Sequence, residues 1–96
     1  MVDTVKNTTV PGDGKWYNAF TLLSAAKGST VNPGAAISFS MLSEGELYYC
    51  IAPVEPINDD AYDLIRGYGG VEFDAGESNI WFKAPFGEIK INLREV

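Results

Sequence analysis

The sequence predicts an all-β fold: an antiparallel β-sandwich or small barrel, jelly-roll-like, with a short N-terminal arm. Short runs of alternating apolar and polar residues recur along the chain, and clusters rich in glycine or proline separate them. Counting these runs gives about six to eight strands, which is typical of sandwiches and small barrels. A chain of 96 residues is long enough for one such domain and too short for two.

The C-terminal segment has the most regular pattern and predicts a β-hairpin. Residues 84–87 (Ala-Pro-Phe-Gly) fit its turn, because proline presets φ at the second position and glycine suits the fourth. In that register Phe82 faces Ile89, and Trp81 faces Lys90. One face then carries only apolar side chains, which we expect to be buried together: Ile80, Phe82, Ile89, Ile91 and Leu93.

A second hairpin is predicted between residues 35 and 52, with its loop at Glu44-Gly45 and with Phe39 facing Cys50. Both faces of this hairpin are partly apolar, so it is either central in a sandwich or part of a subunit interface. The sequence therefore predicts a homo-oligomer. The residues predicted for its interface are Leu42, Leu47, Tyr49 and Ile51.

The N-terminal part of the chain carries weaker signals. Residues 1–14 are polar and end in a Pro-Gly-Asp-Gly cluster, so we interpret them as an extended arm before a single domain of residues 15–96. Residues 16–26 fit either a strand or a short helix. Helical spacing is present at four apolar positions, Ala19, Leu22, Leu23 and Ala26. A strand is favoured because the later segments all have β patterns.

The composition argues against several classes of function. The net charge is −6, from 13 acidic and 7 basic residues, and there is no run of Lys or Arg. Such a surface disfavours binding to nucleic acid and to anionic membranes. No segment has the apolar length of a signal peptide or of a transmembrane helix. We therefore expect synthesis and folding in a cytoplasm.

The residue types argue against catalysis and against a bound cofactor. The chain has no histidine, and Cys50 is its only cysteine, so the commonest general base and metal ligand are missing. We interpret Cys50 as a small buried hydrophobe. The densest group of oxygen ligands is Asn58, Asp59, Asp60 and Asp63. Calcium is an alternative there, but the spacing matches no EF-hand loop, and a solvated turn is the simpler interpretation.

Two aromatic residues are candidate contacts for a ligand or a partner. Trp81 lies on the hydrated face of the predicted C-terminal hairpin, and Tyr68 lies in a glycine-rich bend at residues 67–70. Aromatic side chains present an apolar body with a polar handle, which suits binding surfaces. These residues keep open the alternative of a carbohydrate-binding or host-receptor-binding module.

The order of landmarks along the chain carries a resemblance. Trp16 opens the first strand, Pro33-Gly34 leads into an alternating strand, and Pro53 ends the return strand. A glycine-rich bend precedes residues 79–82 (Asn-Ile-Trp-Phe), and residues 88–96 close the chain. This layout resembles small β-sandwich accessory proteins of tailed bacteriophages, such as head decoration or cement proteins and small head-fibre or tail subunits.

The resemblance covers about residues 15–96 and is one of layout. It implies a non-enzymatic structural protein of the virion that is synthesised and folded in the bacterial host cytoplasm and assembles as a homotrimer. The implied partners are phage capsid or tail proteins, with the N-terminal arm reaching a neighbouring subunit or the shell.

Overall fold

The computed structural model describes residues 6–57 and 62–96. The described residues form eight strands and one helix: β1 Thr8–Val10, β2 Tyr17–Asn18, α1 Ala19–Lys27, β3 Ile37–Met41, β4 Glu46–Ala52, β5 Asp63–Arg66, β6 Gly70–Phe73, β7 Asn79–Lys83 and β8 Ile89–Glu95. Two antiparallel four-stranded sheets result, sheet A with the order β1-β8-β3-β6 and sheet B with the order β2-β7-β4-β5. The predicted all-β sandwich is confirmed.

The strand order is that of one long antiparallel ribbon wrapped around a core. The first strand pairs with the last, the second with the seventh, the third with the sixth and the fourth with the fifth. Two further pairings, β3 with β8 and β4 with β7, join neighbouring parts of the ribbon into sheets. An eight-stranded double sheet of this kind is a jelly roll.

The apolar core lies between the two sheets. The five residues predicted to be buried together, Ile80, Phe82, Ile89, Ile91 and Leu93, are all 3% exposed or less, so that prediction is confirmed. The ring of Phe39 belongs to the same core and lies 4.7 Å from the ring of Phe82 and 6.0 Å from that of Phe73. Aromatic pairs at such distances contribute more than their buried area alone.

Both predicted hairpins are wrong in their pairing. β7 and β8 lie in different sheets, so Phe82 lies beside Tyr17 and Tyr49 instead of Ile89. β3 and β4 are likewise separated, because residues 42–45 cross from sheet A to sheet B. Alternation specifies the face that a side chain takes, not the strand beside it. Since both inner faces of a sandwich are apolar, the prediction of burial holds although the pairing does not.

Residues 19–27 form a helix, so the strand favoured for this segment is wrong. The helix begins at Asn18, whose Oδ1 accepts hydrogen bonds from the backbone N–H groups of Phe20 and Thr21 at 2.9 and 3.4 Å. It ends at Gly28, which has a φ of 80° and donates its N–H to the Ser24 carbonyl. The buried side of the helix consists of Ala19, Phe20 and Leu23.

Replacing Asn18 with alanine is expected to lower the free energy of unfolding by about 1–2 kcal/mol, because the helix loses its N-cap. The substitution also removes the hydrogen bond from Asn18 Nδ2 to Asn79 Oδ1, at 3.0 Å. Asn18→Asp is the matched control, because aspartate still caps the helix but cannot donate to Asn79. Urea unfolding followed by circular dichroism measures both variants. An alanine variant as stable as the wild type would contradict the role of the cap.

Part of the predicted N-terminal arm is a strand of the sandwich. β1 pairs with β8 at the edge of sheet A, where Val10 lies opposite Ile89 and is fully buried. Asn7, just before β1, accepts a hydrogen bond from Asn92 at 2.9 Å. A boundary at residue 14 would therefore separate β1 from the core that it covers. Residues 1–5 lie outside the described residues.

Candidate functional site

Four connections between strands meet at one end of the sandwich, which we call the loop tip: residues 11–16, 42–45, 67–69 and 84–88. Antiparallel pairing brings them together, because it places the end of one strand beside the start of its partner. The end of β1, for example, lies next to the start of β8. Each connection joins a strand of one sheet to a strand of the other.

Backbone hydrogen bonds join two of these connections directly. The N–H of Gly67 donates to the carbonyl of Gly45 at 3.1 Å, and the N–H of Met41 donates to the carbonyl of Gly69 at 2.9 Å. The two bonds flank Tyr68 on both sides. The turn that carries Tyr68 is therefore fixed against the connection that begins with Leu42.

The backbone of the other two connections also lies in close contact with its neighbours. The N–H of Leu42 donates to the carbonyl of Lys90 at 2.8 Å, just beyond the connection of residues 84–88. A Cβ on Gly12 would lie only 2.4 Å from the backbone carbonyl carbon of Gly87, so glycine is required at this approach. The loop tip is thus one interconnected unit of backbone rather than four independent loops.

Three large apolar side chains project from the loop tip into solvent, each from a different connection. Leu42 is 40% exposed, Tyr68 is 68% exposed and Phe86 is 76% exposed. Exposed apolar side chains gathered on a fixed backbone are typical anchors of protein interfaces, in which aromatic residues are enriched. We therefore take the loop tip as the candidate functional site.

The sequence indicated two of these three residues. Leu42 was predicted for a subunit interface and Tyr68 for a partner contact, and the structure places both at the same end of the fold. Phe86 was missed because residues 84–87 fitted a turn pattern. The third position of a turn favours polar residues or glycine, so a phenylalanine there was a signal for an exposed contact.

The connection from β1 to β2 is held by Asp13. Its Oδ1 accepts the N–H of Lys15 at 3.0 Å, and its Oδ2 accepts a hydrogen bond from the Tyr17 hydroxyl. The bond from Tyr17 lowers the pKa of the Asp13 carboxyl below its usual value, and the same bond raises the pKa of Tyr17. Asp13 therefore keeps its negative charge, and its role in this loop, at mildly acidic pH.

The outer face of sheet B carries a second group of aromatic side chains, Tyr48, Tyr62 and Trp81, which we call the aromatic face. Tyr62 stacks on Tyr48 with 4.0 Å between ring centroids. Trp81 is partly exposed and donates its indole N–H to the Ala52 carbonyl at 3.1 Å. Its cross-strand neighbours are Asn18 and Cys50, so the predicted pairing with Lys90 is wrong.

Cys50 is partly rather than fully buried, and burial raises the pKa of its thiol above the ordinary value. Because the thiolate is the reactive form, we expect Cys50 of the folded protein to react more slowly with a disulfide reagent at about pH 8 than a free thiol does. The reaction in guanidinium, where the chain is unfolded, is the control. Equal rates in the folded and unfolded protein would contradict this expectation.

Two of the four residues predicted for a subunit interface face the core instead. Leu47 is fully buried, and the ring of Tyr49 lies 5.4 Å from that of Phe73. Leu47 is therefore not available on the surface of the protomer, whereas Tyr49 packs against the core and stays partly exposed. Leu42 and Ile51 are 40% and 44% exposed and stay accessible to a partner.

Over residues 6–57 and 62–96, no three histidine, cysteine or acidic side chains are grouped so as to hold a metal ion. Three members of the acidic cluster considered above, Asn58, Asp59 and Asp60, lie outside the described residues, while Asp63 is exposed at the start of β5. Within the described part of the chain, no helix is long and apolar enough to span a membrane.

Comparison with known proteins adds no relative from which a function could be carried over. No protein-family model, no curated protein and no solved structure matches the chain. Many unrelated functions share the jelly-roll architecture, so the surfaces of this fold are the guide to its function.

Proposed function

We propose that this protein is a non-enzymatic structural accessory subunit of a bacteriophage particle, in which the loop tip docks onto a capsid or tail protein. The observation that carries the proposal is the gathering of Leu42, Tyr68 and Phe86 on one interconnected backbone unit. Docking removes this apolar surface from water, and the fixed backbone limits the entropy lost on binding.

The fold supports the same function. Jelly rolls form viral capsid domains as well as lectin and cupin domains. The viral setting is the one that the sequence layout supports, because this layout resembles that of small phage accessory proteins. The proposed location is accordingly the virion, after folding in the host cytoplasm.

The side chains that project from the loop tip suit adhesion rather than chemistry. Leucine and phenylalanine carry no group that could transfer a proton or attack a substrate. The net charge of −6 keeps such a protein soluble at the concentrations needed to occupy many equivalent sites on a particle. It also favours a partner surface that is neutral or basic.

Co-sedimentation with phage particles tests the proposal. Particles are purified from a host that carries the gene and from the same host with the gene deleted, and their proteins are identified by mass spectrometry. Purified protein is then added to the particles that lack it. We expect the protein in the first particles only, and we expect the added protein to sediment with the second.

Variants of the loop tip locate the attachment. Phe86→Ser and Tyr68→Ser are expected to weaken particle binding at least about tenfold, as removal of an interface anchor does. Val96→Ser is the matched control, because Val96 is 58% exposed but follows the end of β8 that lies away from the loop tip. Absence of the protein from particles, together with no binding of added protein, would overturn the proposed function.

A second function, binding of a carbohydrate or a host receptor, is favoured by the aromatic face. Tyr48 and Tyr62 form a stacked pair, and Trp81 lies on the same face. Electrophoresis through gels that contain soluble polysaccharides measures this binding. Retardation of the wild type that Trp81→Ala abolishes and Phe86→Ala leaves unchanged would support this second function over the first.

A further inference from the structure

The outer face of sheet A is polar, and its side chains form two rows across three strands. One row consists of Glu72 on β6, Ser38 on β3 and Arg94 on β8, and the next consists of Gly70, Ser40 and Asn92 on the same strands. These residues alternate with the buried Ile37, Phe39 and Met41 or their cross-strand neighbours, and therefore face away from the core. We call this surface the polar face.

The first row carries opposite charges on either side of a serine. Within the described part of the chain, the ion pairs join Lys27 to Glu95 and Arg66 to Glu46, so Glu72 and Arg94 have no ion-pair partner there. Each charge is thus available to a facing surface.

The guanidinium of Arg94 is held in place. Its Nε and Nη2 donate to Asn92 Oδ1 at 3.3 and 3.1 Å, and Asn92 is only 8% exposed. Asn92 is itself fixed by its hydrogen bond to Asn7. The Nη1 group of Arg94 takes no part in these bonds and can pair with a carboxylate.

In the second row, the residues on the two sides of Ser40 differ in size. A Cβ at Gly70 would lie 2.5 Å from the carbonyl oxygen of Phe39, so this position is restricted to glycine and presents no side chain. Asn92 occupies the corresponding position on the other side of Ser40. A shallow trough of about 420 Å³ runs over the face and is lined by both serines, Glu72, Asn92 and Arg94, among others.

We propose that the polar face binds the polar face of a second copy of this chain, around a two-fold axis that runs along β3 above Ser38 and Ser40. Rotation about this axis exchanges the two sides of β3. Glu72 of each copy then faces the partner's Arg94, and Gly70 of each copy faces the partner's Asn92. The small serines lie at the axis and allow the two sheets to approach to about 10 Å.

Each row is complementary to the same row of a second copy, which argues for a second copy of this chain as the partner rather than a different protein. An isologous interface requires a surface that is complementary to itself, and the polar face meets this requirement in charge in one row and in size in the other. The two-fold pairing occupies the whole face, so it yields a dimer, unlike the trimer that the resemblance implies. This inference does not depend on the proposed phage function.

The expected dimer is weak. A face of three to four strands measures roughly 15 by 20 Å, which is well below the ~800 Å² that each partner buries in a standard interface. Two copies of charge −6 also repel each other at long range. The specific charge pairs must offset this repulsion, and copies brought close together on a larger assembly would pair more readily.

Charge reversal tests the interface by sedimentation equilibrium over about 10 µM to 1 mM protein. Wild type is expected to show a monomer–dimer equilibrium. Glu72→Arg or Arg94→Glu alone is expected to raise the dissociation constant at least about tenfold, because like charges then face each other. An equimolar mixture of the two variants is expected to dimerise again, since each reversed charge meets its opposite in the mixed dimer.

Two charge reversals away from the polar face are the matched controls. Glu55→Arg and Lys15→Glu change the net charge by the same amounts at exposed positions. They therefore measure the effect of net charge alone, and we expect the dissociation constant to stay within a factor of about two of that of the wild type. Dimerisation in the mixture also shows that both variants fold. A monomer at every concentration, a trimer, or a mixture that stays monomeric would each overturn the proposal.

Discussion

Replacing Phe82 with alanine is expected to lower the free energy of unfolding by about 3–5 kcal/mol, the cost of truncating a large core side chain. Phe82 is fully buried at the centre of sheet B, where β7 lies between β2 and β4. Its ring contacts that of Phe39 from sheet A across the sandwich. Because a domain of this size has a total stability of about 5–15 kcal/mol, the variant loses a large part of it.

Phe86→Ala is the matched control, because it makes the same chemical change four residues away. Phe86 is 76% exposed, so we expect its stability to stay within about 0.5 kcal/mol of the wild type. Urea unfolding followed by circular dichroism measures both variants. Equal losses in the two variants would contradict the assignment of Phe82 to the core and Phe86 to the surface.

Phe82 and its neighbours also show what the sequence could predict about the fold. The alternation through β7 and β8 identified the buried side chains correctly, because a period of two is a local property of a strand. The pairing between Phe82 and Ile89 was wrong, because residues 84–87 carry turn signals that suit a crossing between sheets as well as a hairpin.

The true partners of the strands are remote in the sequence. β1 pairs with β8 across almost the whole chain, and no local pattern records such a pairing. In a jelly roll the first and last strands meet because the intervening ribbon wraps, which is a property of the complete fold. Sequence patterns therefore predicted the class of the fold and its buried face, but not its topology.

The helix is a different case, because its signals were present in the sequence. Asn18 suits an N-cap, Lys27 is a basic residue in the last turn, and Gly28 suits the C-terminal stop. The strand was favoured because of the β patterns elsewhere in the chain. Local start and stop signals would have been the better guide to this segment than its surroundings.

The candidate site could be predicted only in part for a similar reason. The glycine-rich bend around Tyr68 indicates that this side chain is exposed, and Leu42 comes directly after an alternating strand. That these two residues share one end of the sandwich with Phe86 depends on the wrapping of the ribbon and on bonds such as that from Gly67 to Gly45. Their placement at one end of the sandwich is a tertiary property.

Deletion of residues 1–10 is expected to abolish cooperative unfolding or to lower the free energy of unfolding by at least about 4 kcal/mol. The deletion removes β1, whose ladder with β8 covers the edge of sheet A. It also removes the fully buried Val10 and uncovers Ile89, so apolar surface enters water and backbone groups of β8 lose their partners. A separate arm, as the sequence predicts, would be removed with almost no loss of stability.

Point substitutions in β1 separate loss of packing from loss of the chain segment. Val10→Ala is expected to cost about 2 kcal/mol, since it truncates a fully buried side chain. Thr9→Ala is the control on the neighbouring position, because Thr9 is paired with the exposed Lys90 on the outer face and is only partly buried.

Thermal unfolding of the three variants distinguishes an integral strand β1 from a separate arm. If the truncated chain melts with the full-length protein and Val10→Ala is neutral, β1 is not part of the core. If both are destabilised while Thr9→Ala is not, the N-terminal segment contributes to folding itself, and we expect attachment to a partner through other surfaces, such as the loop tip.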